Sequence, residues 1–246
     1  MKSKYKYLTV SITTIIMFIS ISIGKIVQDG YFEYKKVINN TSIEEKIEEI
    51  KNSKDYVKFE NIDRDFINAI ISVEDHRFYE HNGLDFVSII RATIKNIESG
   101  KIVQGGSTIT QQLAKNLYLD EDWKFSRKVS EVFLVNDIEE KYSKNEIFEI
   151  YANIINYGNG YIGIKEASKG YFGVDTNDLN LQQATMLAGL PQSPDRYNLI
   201  KYYDKALARQ KEVISAMQKY LKTEYNNDYI LIYINFCLTE KVDILI

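Results

Sequence analysis

Carboxylates, imidazoles and aromatic rings crowd the stretch Glu74, Asp75, His76, Arg77, Phe78, Tyr79, Glu80, His81, Asn82, Gly83. It lies where an apolar helical pattern ends, so its acids can act as general bases or simply as solvated caps. His76 and His81 lack the four-residue spacing of a helical zinc pair, and no cysteine is nearby, which argues against a metal cage. A second cluster runs from Gly105 and Gly106 through Ser107, Thr108, Gln111, Gln112 and Lys115 to Asn116. From Gly100 to Ser107 it imitates a phosphate-binding loop, but Gly106 occupies the position where that loop needs lysine. An NTPase of that type is excluded. What survives is a glycine-hydroxyl turn at a helix start, whose free N–H groups can hold an anion. Gln111, Gln112 and Lys115 then share a helix face. Around them Arg91, Lys95, Lys101 and Lys115 stand against Glu98 alone, in a chain whose net charge is -3. Either a local anion site or a solvated basic face fits that excess.

Two further groups read ambiguously on their own. Arg127, Lys128 and Glu131 place an arginine and a carboxylate one helical turn apart, which an ordinary ion pair would explain. Tyr151, Asn153, Asn156, Tyr157 and the Gly158-Asn159-Gly160-Tyr161 run suit sugar recognition or any exposed turn.

The elements that must carry these residues are mainly helical. Asp63 opens a stretch with Phe66, Ile67, Ile70 and Ile71 on one face, and Phe86, Ile89, Ile90, Ile94 and Ile97 repeat the pattern until Gly100. Thr108 with Gln111, Ser143 with Glu146 and Asn180 with Gln183 have capping-box spacing, and Pro191 limits the helix that Asn180 begins. No alternating strand series or internal repeat is present. The fold class expected is mainly α.

At 246 residues the chain accommodates one medium-sized catalytic domain with a small appendage. Its modest net charge gives no global attraction to nucleic acid. A single cysteine, Cys237, excludes an internal disulfide framework. Lys2, Lys4 and Lys6 precede an uncharged run, residues 7–24, just long enough to span a bilayer. Ser20, Ser22 and Gly24 make a poor signal-peptide cleavage pattern, so a retained transmembrane anchor is expected. The flanking charges put residues 1–6 in the cytoplasm and the remainder outside. Residues 25–60, charged and irregular but with Ile43, Ile47 and Ile50 at helical spacing, read as a stalk leading into the domain, residues 61–222 as the catalytic domain, and residues 223–246 as an atypical tail with an apolar run too short to cross a membrane.

Taken together and in order, these clusters resemble the family 51 glycosyltransferases, the lysozyme-like domains of class A penicillin-binding proteins and of monofunctional peptidoglycan transglycosylases. Glu74-Asp75-x-x-Phe78-x-x-His81-x-Gly83 resembles the family's first motif, Gly106-Ser107-Thr108-Ile109-Thr110-Gln111-Gln112-Leu113-x-Lys115-Asn116-Leu117 its second and Arg127-Lys128-x-x-Glu131 its third. Ser143-Lys144-x-Glu146-Ile147 with Glu149-x-Tyr151-x-Asn153 and Tyr157-Gly158-Asn159-Gly160 is similar to the fourth, and Leu187-Ala188-Gly189-Leu190-Pro191-x-x-Pro194 to the fifth. The likeness covers Asp63 to Tyr220. Gln183, Ala152 and Leu199 depart from the usual glutamate, leucine and proline.

The resemblance implies lipid II as substrate, with the growing glycan as donor and an inverting transfer. Glu74 would take the proton of the attacking sugar hydroxyl as the bond forms. The pyrophosphate leaving group needs cations more than a proton donor, which gives Lys115 and Arg127 their roles. Ser107, Thr108 and Gln112 would hydrogen-bond the substrate, and Asp75, Phe78, His81, Gln111, Asn116, Lys128 and Asn153 complete the expected binding set. Glu131 is the second expected catalytic carboxylate, either orienting Arg127 or holding a divalent cation, Mg or Mn, on the pyrophosphate. No other cofactor is implied. The expected partners are lipid II, the growing strand, the membrane and other cell-wall synthesis proteins.

Ser-x-x-Lys occurs at Ser3 and Ser22, in or beside the apolar segment, and no Lys-Thr-Gly follows, so only the glycosyltransferase is expected in this sequence. Two rival readings are a lysozyme-like hydrolase and an inactive glycan-binding scaffold. A hydrolase needs an acid for an alcohol leaving group and has no use for Lys115 and Arg127. A scaffold has no use for the two carboxylates.

Overall fold

A computed structural model describes residues 2–101, 105–119 and 125–221, with side chains from residue 12 onward. The tail read at 223–246 and Cys237 lie outside the described residues. Among the described residues there are helices and one isolated bridge, Asn156 to Ile162, but no strand. The mainly α expectation is borne out.

Helix α1 (Lys2–Asn40) is long and apolar enough to cross a membrane, and Ile15, Ile16, Met17, Phe18 and Ile19 are all exposed along it. Residues 25–60, read as a stalk, are helical through most of their length and pack onto the domain. The last turns of α1 pack on α6 (Phe125–Lys141). Gly30 permits this approach, since a Cβ there would lie 2.5 Å from Val129 Cβ. Tyr34 then donates a 2.6 Å hydrogen bond to Asp137. Helix α2 (Ile43–Lys51), started by a Ser42–Glu45 capping box, buries Ile43 and Ile47 in the core. The helical spacing of Ile43 and Ile47 in the sequence is borne out, and they gain from burial whatever the charge around them.

The core is built on α3 (Arg64–Glu74), capped by Asp63, whose side chain accepts from Phe66 N–H. Phe66, Ala69 and Ile70 are fully buried, and Phe66 meets Phe148 and Tyr157 with ring centroids 6.4 and 6.2 Å apart. Burying a side chain of that size contributes about 1.5–3 kcal/mol. Around α3 pack α5 (Ile109–Tyr118), α7 (Lys144–Ile154), α8 (Ile164–Phe172), α9 (Leu181–Ala188) and α10 (Tyr203–Tyr220). The capping boxes expected at Thr108, Ser143 and Asn180 all form. Helix α4 (Phe86–Ser99) ends at Gly100 with φ 65°, and Ala92 is its one buried residue. Its isoleucine face, by contrast, is open: Phe86 is 67% and Ile97 75% exposed.

Candidate active site

The C-terminus of α3 delivers Glu74 into a cleft of about 650 Å³. Asp75, Ser107, Thr108, Gln112 and Lys115 line one side, and Arg209, Glu212 and Lys219 from α10 line the other. The first two sequence clusters therefore meet in one place, across more than thirty positions of chain.

Glu74 is held at both oxygens. Gln112 donates from Nε2 to Oε2 at 2.9 Å, and Arg209 donates from Nη2 to Oε1 at 3.1 Å. The orientation of the Gln112 amide is set from behind. Tyr151, fully buried with its phenol pushed far up by burial, stays protonated and donates to Gln112 Oε1 at 3.1 Å, leaving Nε2 to face Glu74.

Asp75 and His81 form a brace beneath this carboxylate. His81 Nε2 lies 2.9 Å from Asp75 Oδ1, and Asp75 Oδ2 accepts from the Ile109 N–H at 3.1 Å. Ile109 is the first residue of α5, so a carboxylate sits where the helix N-terminus favours negative charge. Thr108 is also occupied: its hydroxyl donates to the Gly83 carbonyl at 2.6 Å and accepts from Gln111 N–H at 3.1 Å. These contacts lock the start of α5 to the end of the first cluster. Gly83 adopts φ 80°, and a Cβ would fall 2.3 Å from Val135 Cγ1, so only glycine fits.

Several residues expected to touch substrate are structural in this geometry. Phe78 is fully buried in the core, with the Lys144 ammonium 4.6 Å from its ring centroid. Asn153 does not line the cleft: Oδ1 accepts from Val57 N–H and Nδ2 donates to the Val57 and Glu149 carbonyls, each at 2.8 Å. The side chain mimics a strand partner for the segment entering η1 (Phe59–Asn61). Asn116 is exposed and folds back onto the Gln112 carbonyl at 2.8 Å. Tyr151 and Tyr157, candidates for sugar recognition, are core residues.

Glu131 is buried on α6 and accepts from Gln111 Nε2 at 2.7 Å and from Lys128 Nζ. The expected Glu131 to Arg127 pairing is not made. Instead Arg127 Nε and Nη1 are buried without a hydrogen-bond partner among the described residues. An unpartnered guanidinium is costly unless an anion arrives to meet it. Lys115 lies one turn beyond Gln111 on α5, and Arg127 one turn before Glu131 on α6, so both cations flank the Gln111–Glu131 contact.

At Glu131 an ammonium and an amide already share Oε1, so a divalent cation there would have to displace Lys128 or bind at Oε2. Among the described residues, Asp75, His81 and Asp85 bring ligand atoms within 4.8 Å of one another. Asp75 already accepts from His81 and Ile109, and Asp85 from Ser88 with Arg77 3.5 Å away, while His81 Nδ1 is buried without a partner among the described residues. The cluster is a hydrogen-bonded brace.

Two cleft residues fall outside the catalytic and binding set expected from sequence. Arg209 had no signal, being one basic residue on a charged helix. His76 has its own role: burial first, then the Arg91 charge, holds its pKa below the usual value, and the neutral ring accepts from Arg91 Nη1 at 3.1 Å and stacks on Tyr220 at 3.9 Å.

This arrangement of a clamped carboxylate beside an anion-seeking helix start coincides with a family match. Residues 40–218 match the transglycosylase family (Transgly: Transglycosylase), and the chain belongs to it. It is 43% identical over 162 residues to Penicillin-binding protein 1A of Aquifex aeolicus, a stretch covering 66% of this chain and 22% of that protein. Against Penicillin-binding protein 4 of Bacillus subtilis it is 38% identical over 162 residues, 66% of this chain and 26% of that protein. The chain thus spans about a quarter or less of the length of these relatives. The crystal structure of Penicillin-Binding Protein 1A from Haemophilus influenzae aligns with 56% of this chain and 16% of its own, at 20% identity and a TM-score of 0.36.

Proposed function

We propose that the chain is a peptidoglycan glycosyltransferase that polymerises lipid II into β-1,4-linked strands with release of polyprenyl pyrophosphate. The observation that carries the reading is Glu74, oriented at both oxygens in a cleft that Ser107 and Lys115 also line. In the reaction, a hydroxyl oxygen of the incoming lipid II attacks the anomeric carbon of the growing strand from the face opposite its pyrophosphate. The carbon–oxygen bond to pyrophosphate breaks, the configuration inverts, and the hydroxyl proton passes to Glu74. Lys115 and Arg127 take the charge that grows on the leaving group. Glu131 holds Lys128 and Gln111 in place behind them. Asp75 and His81 keep α3 and α5 at a fixed distance.

A polyprenyl substrate keeps its tail in the bilayer, so the cleft has to open near a membrane surface. Three apolar features support that seat. Helix α1 supplies a span, the open face of α4 presents Phe86, Ile90, Ile94 and Ile97, and Phe125 at the start of α6 is 83% exposed. Phe125 adjoins the Gly30 docking point, just past the apolar part of α1, which supports a seat at headgroup level for the Arg127 end of α6. The reading is therefore a single-pass protein of the bacterial cytoplasmic membrane with its catalytic domain outside.

Purified protein in detergent, given lipid II, is expected to yield glycan polymer. Short fragments from preformed glycan would indicate a hydrolase, and binding without turnover a scaffold. Either result contradicts the proposal.

A further inference from the structure

We propose that Arg209 is a positioning residue for Glu74, and that the glycine of the Leu187-Ala188-Gly189-Leu190-Pro191 turn exists to let it reach. The inference rests on the proposed role of Glu74 as the base.

Arg209 projects from the middle of α10, 135 positions away from Glu74 in sequence, yet both side chains are nearly closed to solvent, 7% and 11% exposed. Its guanidinium is used in three directions: Nη2 to Glu74 at 3.1 Å, Nη1 to Glu212 at 2.8 Å, and Nε to the Gly189 carbonyl at 3.4 Å. A planar fork can serve three acceptors that diverge in this way, whereas a lysine ammonium on a flexible stem holds no fixed plane. With Gln112 fixing Oε2, Arg209 holds Glu74 in a single orientation at the wall of the cleft.

Gly189 explains how the arginine gets there. Its φ of -78° and ψ of -19° are ordinary right-handed helical values, so no backbone demand calls for glycine. The demand is steric. A Cβ at 189 would lie 2.9 Å from Arg209 Cγ and 3.7 Å from its Cβ. Because the contact is with the root of the side chain, it cannot be relieved by moving the tip alone. Gly189→Ala should therefore displace the guanidinium while leaving its charge and the backbone intact.

The test is a double-mutant cycle on the full-length protein, with lipid II polymerisation and thermal unfolding measured side by side. Arg209→Met keeps the stem and removes the fork, and kcat is expected to fall at least ~10-fold with KM changing less than ~3-fold. Arg209→Lys and Gly189→Ala should fall between parent and Arg209→Met. In a Glu74→Gln background, Arg209→Met should cost no further rate, since its effect runs through the carboxylate. Unfolding should show the same coupling, with a smaller loss of Tm in the Glu74→Gln background. Rate losses that multiply in the double variant, or a Gly189→Ala protein with parental kcat, would overturn the positioning role. A parent protein that forms no polymer would overturn the activity itself, a result that the cycle separates from the first.

Discussion

Gln112 Nε2 lies 2.9 Å from Glu74 Oε2, and the opposite end of the same amide accepts from Tyr151. A glutamine read from sequence as a substrate ligand is thus a bridge between a buried phenol and the candidate base. This changes what its neighbour Lys115 has to do. With Gln112, Thr108 and Gln111 all committed within the protein, Lys115 is left as the exposed cation on that helix wall.

Lys115→Ala should weaken both ground-state binding and turnover, because an anion's charge is present on binding and grows in the transition state. Moenomycin, the phosphoglycolipid inhibitor of the family, reads the binding part. Its affinity should drop at least ~10-fold in Lys115→Ala, a loss of about 1.4 kcal/mol. Equal affinity in parent and variant would remove Lys115 from the anion site.

Gly83→Ala should destabilise the protein by on the order of 3 kcal/mol, from a left-handed φ combined with a clash. The matched control is Gly100→Ala, where φ is 65° but a Cβ meets nothing within 4 Å. Its expected cost is ~1 kcal/mol. Melting curves that rank the two variants the other way would contradict the packing described around Val135.

The N-cap of α3 gives a pH test. Burial pushes the Asp63 carboxyl up from 3.8 to about 6, against the opposing hydrogen bond from Phe66 N–H. A carboxyl with a raised folded pKa contributes stability below its unfolded pKa and loses it as pH rises through the folded value. The contribution is therefore present below about 3.8 and lost by about 6. Asn caps a helix as well as Asp but carries no charge, so Asp63→Asn should raise Tm at pH 7 by a few degrees and leave it unchanged near pH 4. A lower Tm at pH 7 would show that the ionised cap stabilises.

Much of the helical framework was legible because its signals are local. Asp63, Thr108, Ser143 and Asn180 each cap the helix they were read to cap, and Gly100 ends α4. Two of the clusters also meet in space, since Glu74 and Lys115 share one cleft. What failed was accessibility. Phe78 and Asn153 sit in motifs alongside site residues, and nothing in residue type separates a side chain that touches substrate from one that holds the motif's backbone. In the segment at 25–60 the helical spacing of Ile43 and Ile47 was legible, but its docking was not, for a related reason. Its charges dominate its composition, while the docking depends on Gly30, Tyr34, Ile43 and Ile47 finding partners around a hundred positions away. Arg209 was invisible on the same ground, because its partner Glu74 is remote in sequence.

The most direct measurement is polymerisation of lipid II by Glu74→Gln. The amide keeps the size of the side chain and can still accept from Arg209, but it cannot take up the hydroxyl proton. The expected result is a rate at least ~10²-fold below the parent, in a protein that melts cooperatively and binds moenomycin with near-parental affinity. A Glu74→Gln protein that polymerises near the parent rate contradicts the account, and Glu131, buried behind Lys128, becomes the next carboxylate to test.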